Sequence, residues 1–208
     1  MDGVILKTNR TKHQAMLALF SSFPQYSERI SQYILDRNGV RRDLKILGIH
    51  SEILLSPLTE GDLTRYLERY ATALEEELGK APLVDGVDRF VEGHTGGLFV
   101  NSSAPREEVE RQLEARGLMR HFDGVFAGEA DKQHALERIR SLAKGQEVVF
   151  FGDSVGDWDS ARSAGVSFVG VVAERDNFRD APIAKIRDFV DRAIVAEAIE
   201  RSVAARTG

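Results

Sequence analysis

Apolar and polar positions change rhythm once, decisively, along these 208 residues. From 11 to about 79 the spacing is helical, with apolar residues three and four apart over 13–20, 26–36, 44–55 and 59–78 and no convincing strand. The last of these is the clearest. Thr59 stands at its N-cap with Asp62 three residues on, and Leu63, Tyr66, Leu67, Tyr70 and Leu74 line one face. The pattern predicts a bundle of about four helices.

After Pro82 short apolar runs take over. Those at 97–100, 124–127, 148–151 and 166–172 read as strands, and they alternate with helices predicted over 86–91, 105–116, 132–142 and 157–164. An amphipathic helix over 188–205 follows, with Phe189, Ile194, Val195 and Ile199 among its apolar positions. Strands alternating with helices predict an α/β fold with a doubly wound, Rossmann-like parallel sheet. Near the start, Val4, Ile5 and Leu6 read as a small piece of strand or a buried turn. The expected organisation is therefore a core made of 1–10 and 81–208, with a helical cap, 11–80, inserted in it.

Composition narrows the class without naming it. A net charge of -5 with no basic block argues against nucleic acid as a partner, and the absence of cysteine removes disulfides and thiol catalysis. No apolar run approaches the roughly 20 residues needed to span a bilayer, and the opening lacks a basic-then-apolar signal pattern. A cytoplasmic location away from the membrane is the expectation, and oligomeric state is left open.

The stretch 147–172 concentrates the chemistry. Asp153, Asp157 and Asp159 fall between two predicted strands, at the carboxyl end of the first. Ligands bind at that edge of open parallel sheets, so acids there are placed for a cation or the metal of a phosphate ester. The competing structural reading makes one acid a helix cap and leaves the other facing solvent. Three further clusters stand in a fixed order before it: Asp2-Gly3-Val4, Asn101-Ser102-Ser103 and Lys132. With the runs DGVIL (2–6), LFVNSSAPREEVERQLEARGL (98–118) and FFGDSVGDWDSARSAG (151–165), this order resembles the haloacid dehalogenase superfamily of phosphohydrolases. It is most similar to phosphoglycolate-phosphatase-like members with a small helical cap.

The resemblance implies a Mg²⁺-dependent phosphohydrolase of a small phosphorylated metabolite, working through an aspartyl phosphate. Asp153 is implied as a direct Mg²⁺ ligand, Asp157 as a ligand through water or an organiser of the metal's shell, and Asp2 as general acid/base whose carbonyl also meets the metal. Ser102, with Ser103 beside it, is implied to donate to a phosphoryl oxygen, and Lys132 to bring an ammonium to the same oxygens. Each role has a structural rival. Ser102 or Ser103 would serve equally as a cap for the helix after Pro105, and an isolated Lys132 would be a solvated lysine. In the cap, Arg42 and Lys45 are implied substrate contacts, with Asn9 and Lys12 a second pair; a solvated basic turn is the alternative.

One departure matters. The superfamily's first motif is Asp-x-Asp at the end of a strand, its first Asp the nucleophile, and here Met1 occupies the middle position. A sheet lacking that central strand would leave interior backbone groups unpaired, each costing on the order of 1–3 kcal/mol. The intact later motifs favour a natural protein that is longer, over a short form without the nucleophile. The chain as it stands is expected to show little or no phosphatase activity. An inactive phosphate-binding or regulatory protein on the same fold, and a phosphomutase, are the alternative functions.

Overall fold

A computed structural model describes residues 1–128, 131–179 and 181–207, the side chains of Glu76 and Thr207 excepted. The chain divides into two compact units, Thr8–Ala81 and a second one made of Met1–Lys7 with Pro82–Gly208. The sequence places these boundaries at 10/11 and 80/81; the structure draws them at 7/8 and 81/82.

The Thr8–Ala81 unit is helical throughout: α1 (Asn9–Ala18), a 3₁₀ turn (Pro24–Tyr26), α2 (Ser27–Asp36), α3 (Arg42–Gly48), a π-helical turn (Ile49–Leu54) and α4 (Glu60–Lys80). The α4 N-terminus is a complete capping box. Thr59 Oγ1 accepts from the Asp62 N–H at 3.2 Å, while the Asp62 carboxylate accepts from the Thr59 N–H at 3.2 Å. Tyr70, Leu74 and Leu78 of α4 bury against Met16, Phe20, Ile30, Ile34, Ile46 and Ile49, giving this unit a core of its own. A methyl group on Gly48 would collide with the Tyr33 hydroxyl, so glycine leaves that hydroxyl its place beside α3. That hydroxyl donates to Glu52 at 2.8 Å, and Arg37 pairs with the same carboxylate while lying over the Tyr33 ring.

In the second unit the order is α5 (Val87–Glu92), β1 (Phe99–Ser102), α6 (Arg106–Glu114), β2 (Gly124–Ala127), α7 (Lys132–Leu142), β3 (Val149–Gly152), α8 (Val155–Ala164), β4 (Ser167–Val171), β5 (Ala184–Ile186) and α9 (Arg192–Thr207). Every strand pairing is parallel, with Val100 opposite Val125, Phe151 opposite Val169 and Gly170 opposite Lys185. Alternate strand residues face opposite layers. Val125, Ala127, Val169 and Val171 enter one apolar cluster with Val87 of α5, Leu113 of α6 and Val195 of α9. Phe126 and Phe168 enter the other, with Leu136 of α7 and Ala161 of α8. Helices thus cover both faces, as the alternation of strands and helices predicts.

The strands are nonetheless divided. They form two sheets, β1–β2 and β3–β4–β5, and among the described residues no ladder joins β1 to β3. Val4–Leu6 does not make a strand. Residues 1–6 fold into a turn in which the Met1 carbonyl accepts from the N–H groups of Ile5 at 2.8 Å and Leu6 at 3.1 Å. Leu6 then bridges to Leu83, and Lys7 N–H donates to the Pro82 carbonyl at 2.9 Å, tying together the two chain segments that leave this unit. The last helix begins at Arg192, not at 188, because the Asp191 carboxylate accepts from the Ala193 and Ile194 N–H groups. This leaves Ile194 exposed and sets Val195 and Ala198 inward. Among the described residues no helix is long and apolar enough to cross a membrane.

Candidate functional site

The site is built where β3 ends and α8 begins. Gly152 closes the strand, and a Cβ there would sit 2.5 Å from Asp157 Cβ and 2.7 Å from the Phe168 ring, so only glycine permits the turn. Ser154 is the N-cap. Its Oγ accepts from the Asp157 N–H at 3.1 Å and donates to Asp157 Oδ2 at 2.8 Å, and the Asp153 and Ser154 N–H groups donate to the same oxygen at 3.2 Å each. Asp157 is therefore the third helical residue, not a loop acid. Its other oxygen, Oδ1, accepts from Lys132 Nζ at 2.6 Å.

Asp157 is only 3 % exposed, and the Lys132 side chain keeps 17 % of its surface. Burial opposes charge on both groups, but their mutual attraction outweighs it. Lys132 titrates above the usual lysine range, held there by Asp157 first and by Asp153 and Asp2 behind it. Asp157 titrates below the usual aspartate range through Lys132 and the Ser154 hydroxyl. The Met1 amino group lies in the same cluster, where burial lowers its pKa against the attraction of Asp2, Asp157 and Asp153. Four sequence-predicted residues, Asp2, Lys132, Asp153 and Asp157, thus converge from the opening turn, the start of α7 and the β3–α8 junction.

Ser102 ends β1 and is buried; its Oγ accepts from the Ala104 N–H at 3.2 Å. Pro105, not a serine, is the N-cap residue of α6. Ser103 is half-buried beside it. Asn9, Lys12, Arg42 and Lys45 lie in the Thr8–Ala81 unit. There the Arg42 guanidinium sits 5.1 Å from the centre of the Tyr70 ring, whose hydroxyl donates to the Lys12 carbonyl at 3.4 Å. Two contacts have no signal in the sequence. Asn101 Nδ2 donates to the Lys132 carbonyl at 3.0 Å, and Asn177 Nδ2, in the segment after β4, donates to the Asp153 carbonyl at 2.8 Å.

Whether these residues suit a divalent cation turns on what their oxygens already do. Among the described residues no three of His, Asp and Glu gather to hold a metal. Asp157 is committed to Lys132 and to the helix cap. Beside it stand Asp153 and Asp2, which add hard oxygen donors to the cluster. That set fits Mg²⁺, which is commonly held by one or two carboxylates, water and substrate phosphate instead of a full protein cage.

The family profile described as haloacid dehalogenase-like hydrolase matches residues 1–171. The chain belongs to the haloacid dehalogenase-like hydrolases. Solved structures agree on the fold. A predicted phosphoglycolate phosphatase from Haemophilus somnus superposes with a TM-score of 0.71 at 17% identity, covering 94% of this chain and 95% of that one. A haloacid dehalogenase-like protein from Agrobacterium tumefaciens gives 0.67 at 21% identity, with 96% of each chain covered. A hydrolase of the superfamily from Bacillus subtilis, solved bound to magnesium, gives 0.67 at 16% identity over 95% and 96%. A comparison with curated proteins yields no match. In this haloacid dehalogenase-like hydrolase, the motif order along the sequence and the cluster around Lys132 coincide.

Proposed function

We propose that this hydrolase is a Mg²⁺-dependent phosphohydrolase of small phosphorylated metabolites. The observation that carries the reading is the buried Lys132–Asp157 pair with Asp153 and Asp2 in its field, at the carboxyl end of β3. A phosphoryl group seated there would meet the Lys132 ammonium, which Asp157 keeps charged and pointed. Ser102 accepts from the backbone through its oxygen, which leaves its O–H to donate. The Asp153 carboxylate and the Asp2 backbone carbonyl would hold the cation, which when bound neutralises the charge on the transferring group and leaves the Asp2 carboxyl to handle protons.

The reaction is an in-line displacement. A carboxylate oxygen bonds to phosphorus, the ester P–O bond breaks, and Asp2 gives its proton to the leaving alcohol; Asp2 then takes a proton from the water that releases phosphate. In the family's first motif the attacking carboxylate stands two residues before the position of Asp2. The predicted phosphoglycolate phosphatase among the structural neighbours makes a small organic-acid phosphate the first substrate class to try.

The test is hydrolysis of p-nitrophenyl phosphate with Mg²⁺ by the 208-residue chain and by a form extended upstream with an apolar strand that ends in Asp directly before Met1. Turnover is expected from the extended form and background from the shorter. Robust turnover by the shorter form would overturn the assignment of the nucleophile. An extended form that is folded and silent, yet binds inorganic phosphate, would replace the enzyme reading by that of a phosphate-binding protein.

A further inference from the structure

The Asp153 carboxylate stands on one methylene and follows its backbone closely, whereas the Lys132 ammonium stands on four and is set by its backbone together with Asp157. In both cases a side-chain amide from a neighbouring element does the holding. Asp153 stands before the N-cap Ser154, so its carbonyl has no place in the α8 ladder. Asn177 fills that gap at 2.8 Å, while the Asp153 N–H donates to Asp157 Oδ2. Both ends of the residue are thereby fixed. Asn177 is itself held on either side. Asp176 accepts from the Phe178 N–H at 2.9 Å and pairs with Lys185 of β5 at 3.0 Å, and Phe178 is buried against Phe168 and Gly170.

Asn101 repeats the device on the other charge. It lies inside β1, where β-branched and other apolar residues normally pack, and it is only 7 % exposed. A buried amide is costly unless bonded, and Asn101 meets that cost at the Lys132 carbonyl, on the first residue of α7. Lys132 is then fixed at its backbone by Asn101 and at its ammonium by Asp157.

We infer that Asn101 and Asn177 are positioning residues of this site: Asn177 aims the Asp153 carboxylate at the cation, and Asn101 aims the Lys132 ammonium at the phosphoryl group. The inference rests on the phosphohydrolase reading and goes beyond it in separating two supports, one for each ligand. Calorimetric titration of the full chain with Mg²⁺ alone, and with inorganic phosphate at saturating Mg²⁺, distinguishes them. Asn177→Asp is expected to weaken Mg²⁺ about ten-fold, the lower end of what lost support of a metal ligand does, and to shift phosphate less than about three-fold. The sign is informative, because the added negative charge taken alone would tighten a cation. Asn101→Leu is expected to do the reverse, weakening phosphate about ten-fold with Mg²⁺ little changed. Asn177→Ala and Asn101→Ala carry the same expectations should either first variant fail to fold. Equal weakening of both ligands, or none, in folded variants of a chain that binds both would overturn the inference and leave the phosphohydrolase reading standing. A parent chain that binds neither ligand would overturn both.

Discussion

Asp157 organises its surroundings because neither of its oxygens faces water: one is bonded to Lys132 and the other to three donors in the turn before α8. Removing one member of a buried pair strands the other charge, so Lys132→Met is expected to cost about 3–5 kcal/mol in urea unfolding. Adding Asp157→Asn should recover a good part of that loss, since a neutral amide oxygen still accepts from the turn. A loss below about 1 kcal/mol for Lys132→Met would mean that water screens the pair as it does at a surface. Gly152 supports the same carboxylate sterically. Gly152→Ala drives a methyl group against Asp157 Cβ and the Phe168 ring, and by the usual cost of overpacking should lose about 1–3 kcal/mol. Full stability in that variant would show that the β3–α8 turn relaxes more easily than its packing indicates.

The long elements were legible, and so were the four- and five-residue strands β1 to β4; β5 was not. The period of α4 persists over 21 residues, and its capping box and buried face are where the pattern puts them. β5 is three residues, Ala184–Ile186, with a lysine in the middle; its pairing with β4, not its composition, makes it a strand. Lys132, Asp153 and Asp157 were picked out by their order along the chain, each beside the end of a readable element, whereas Asp2 lies in a turn that did not read as one. Asn177 left no trace, since an amide 24 residues from the carbonyl it serves forms no local pattern. The same holds for the tie that closes α9. Arg206 pairs with Glu147 at 2.7 Å and also reaches Ser167, joining the end of the helix to the approaches of β3 and β4. Burial raises the Glu147 pKa, but Ser167 and Arg206 bring it below the ordinary 4.5. A depressed carboxylate stabilises above its unfolded pKa and ceases to do so as pH falls through the folded one. The melting temperature of the parent should therefore exceed that of Glu147→Gln modestly at pH 7, the pair being part-exposed, with the gap closing below pH 4.5. A gap unchanged at pH 3 would mean that the contact is steric.

Two cores in one chain set how it should come apart. Leu74 packs within the Thr8–Ala81 cluster, and Leu113 within one of the two clusters of the other unit. Both are fully buried, so replacing either by alanine leaves a cavity worth about 2–5 kcal/mol. What differs is which amides lose protection, because opening free energies follow cooperative units and not the chain as a whole. In hydrogen exchange, Leu74→Ala should speed the amides of 8–81 while those of β3 and β4 keep the parent's protection, and Leu113→Ala should do the opposite. The sites share no cluster, so the double variant should lose the sum of the two within about 0.5 kcal/mol. If either single variant loosens both sets of amides alike, the chain opens as one cooperative body and not unit by unit.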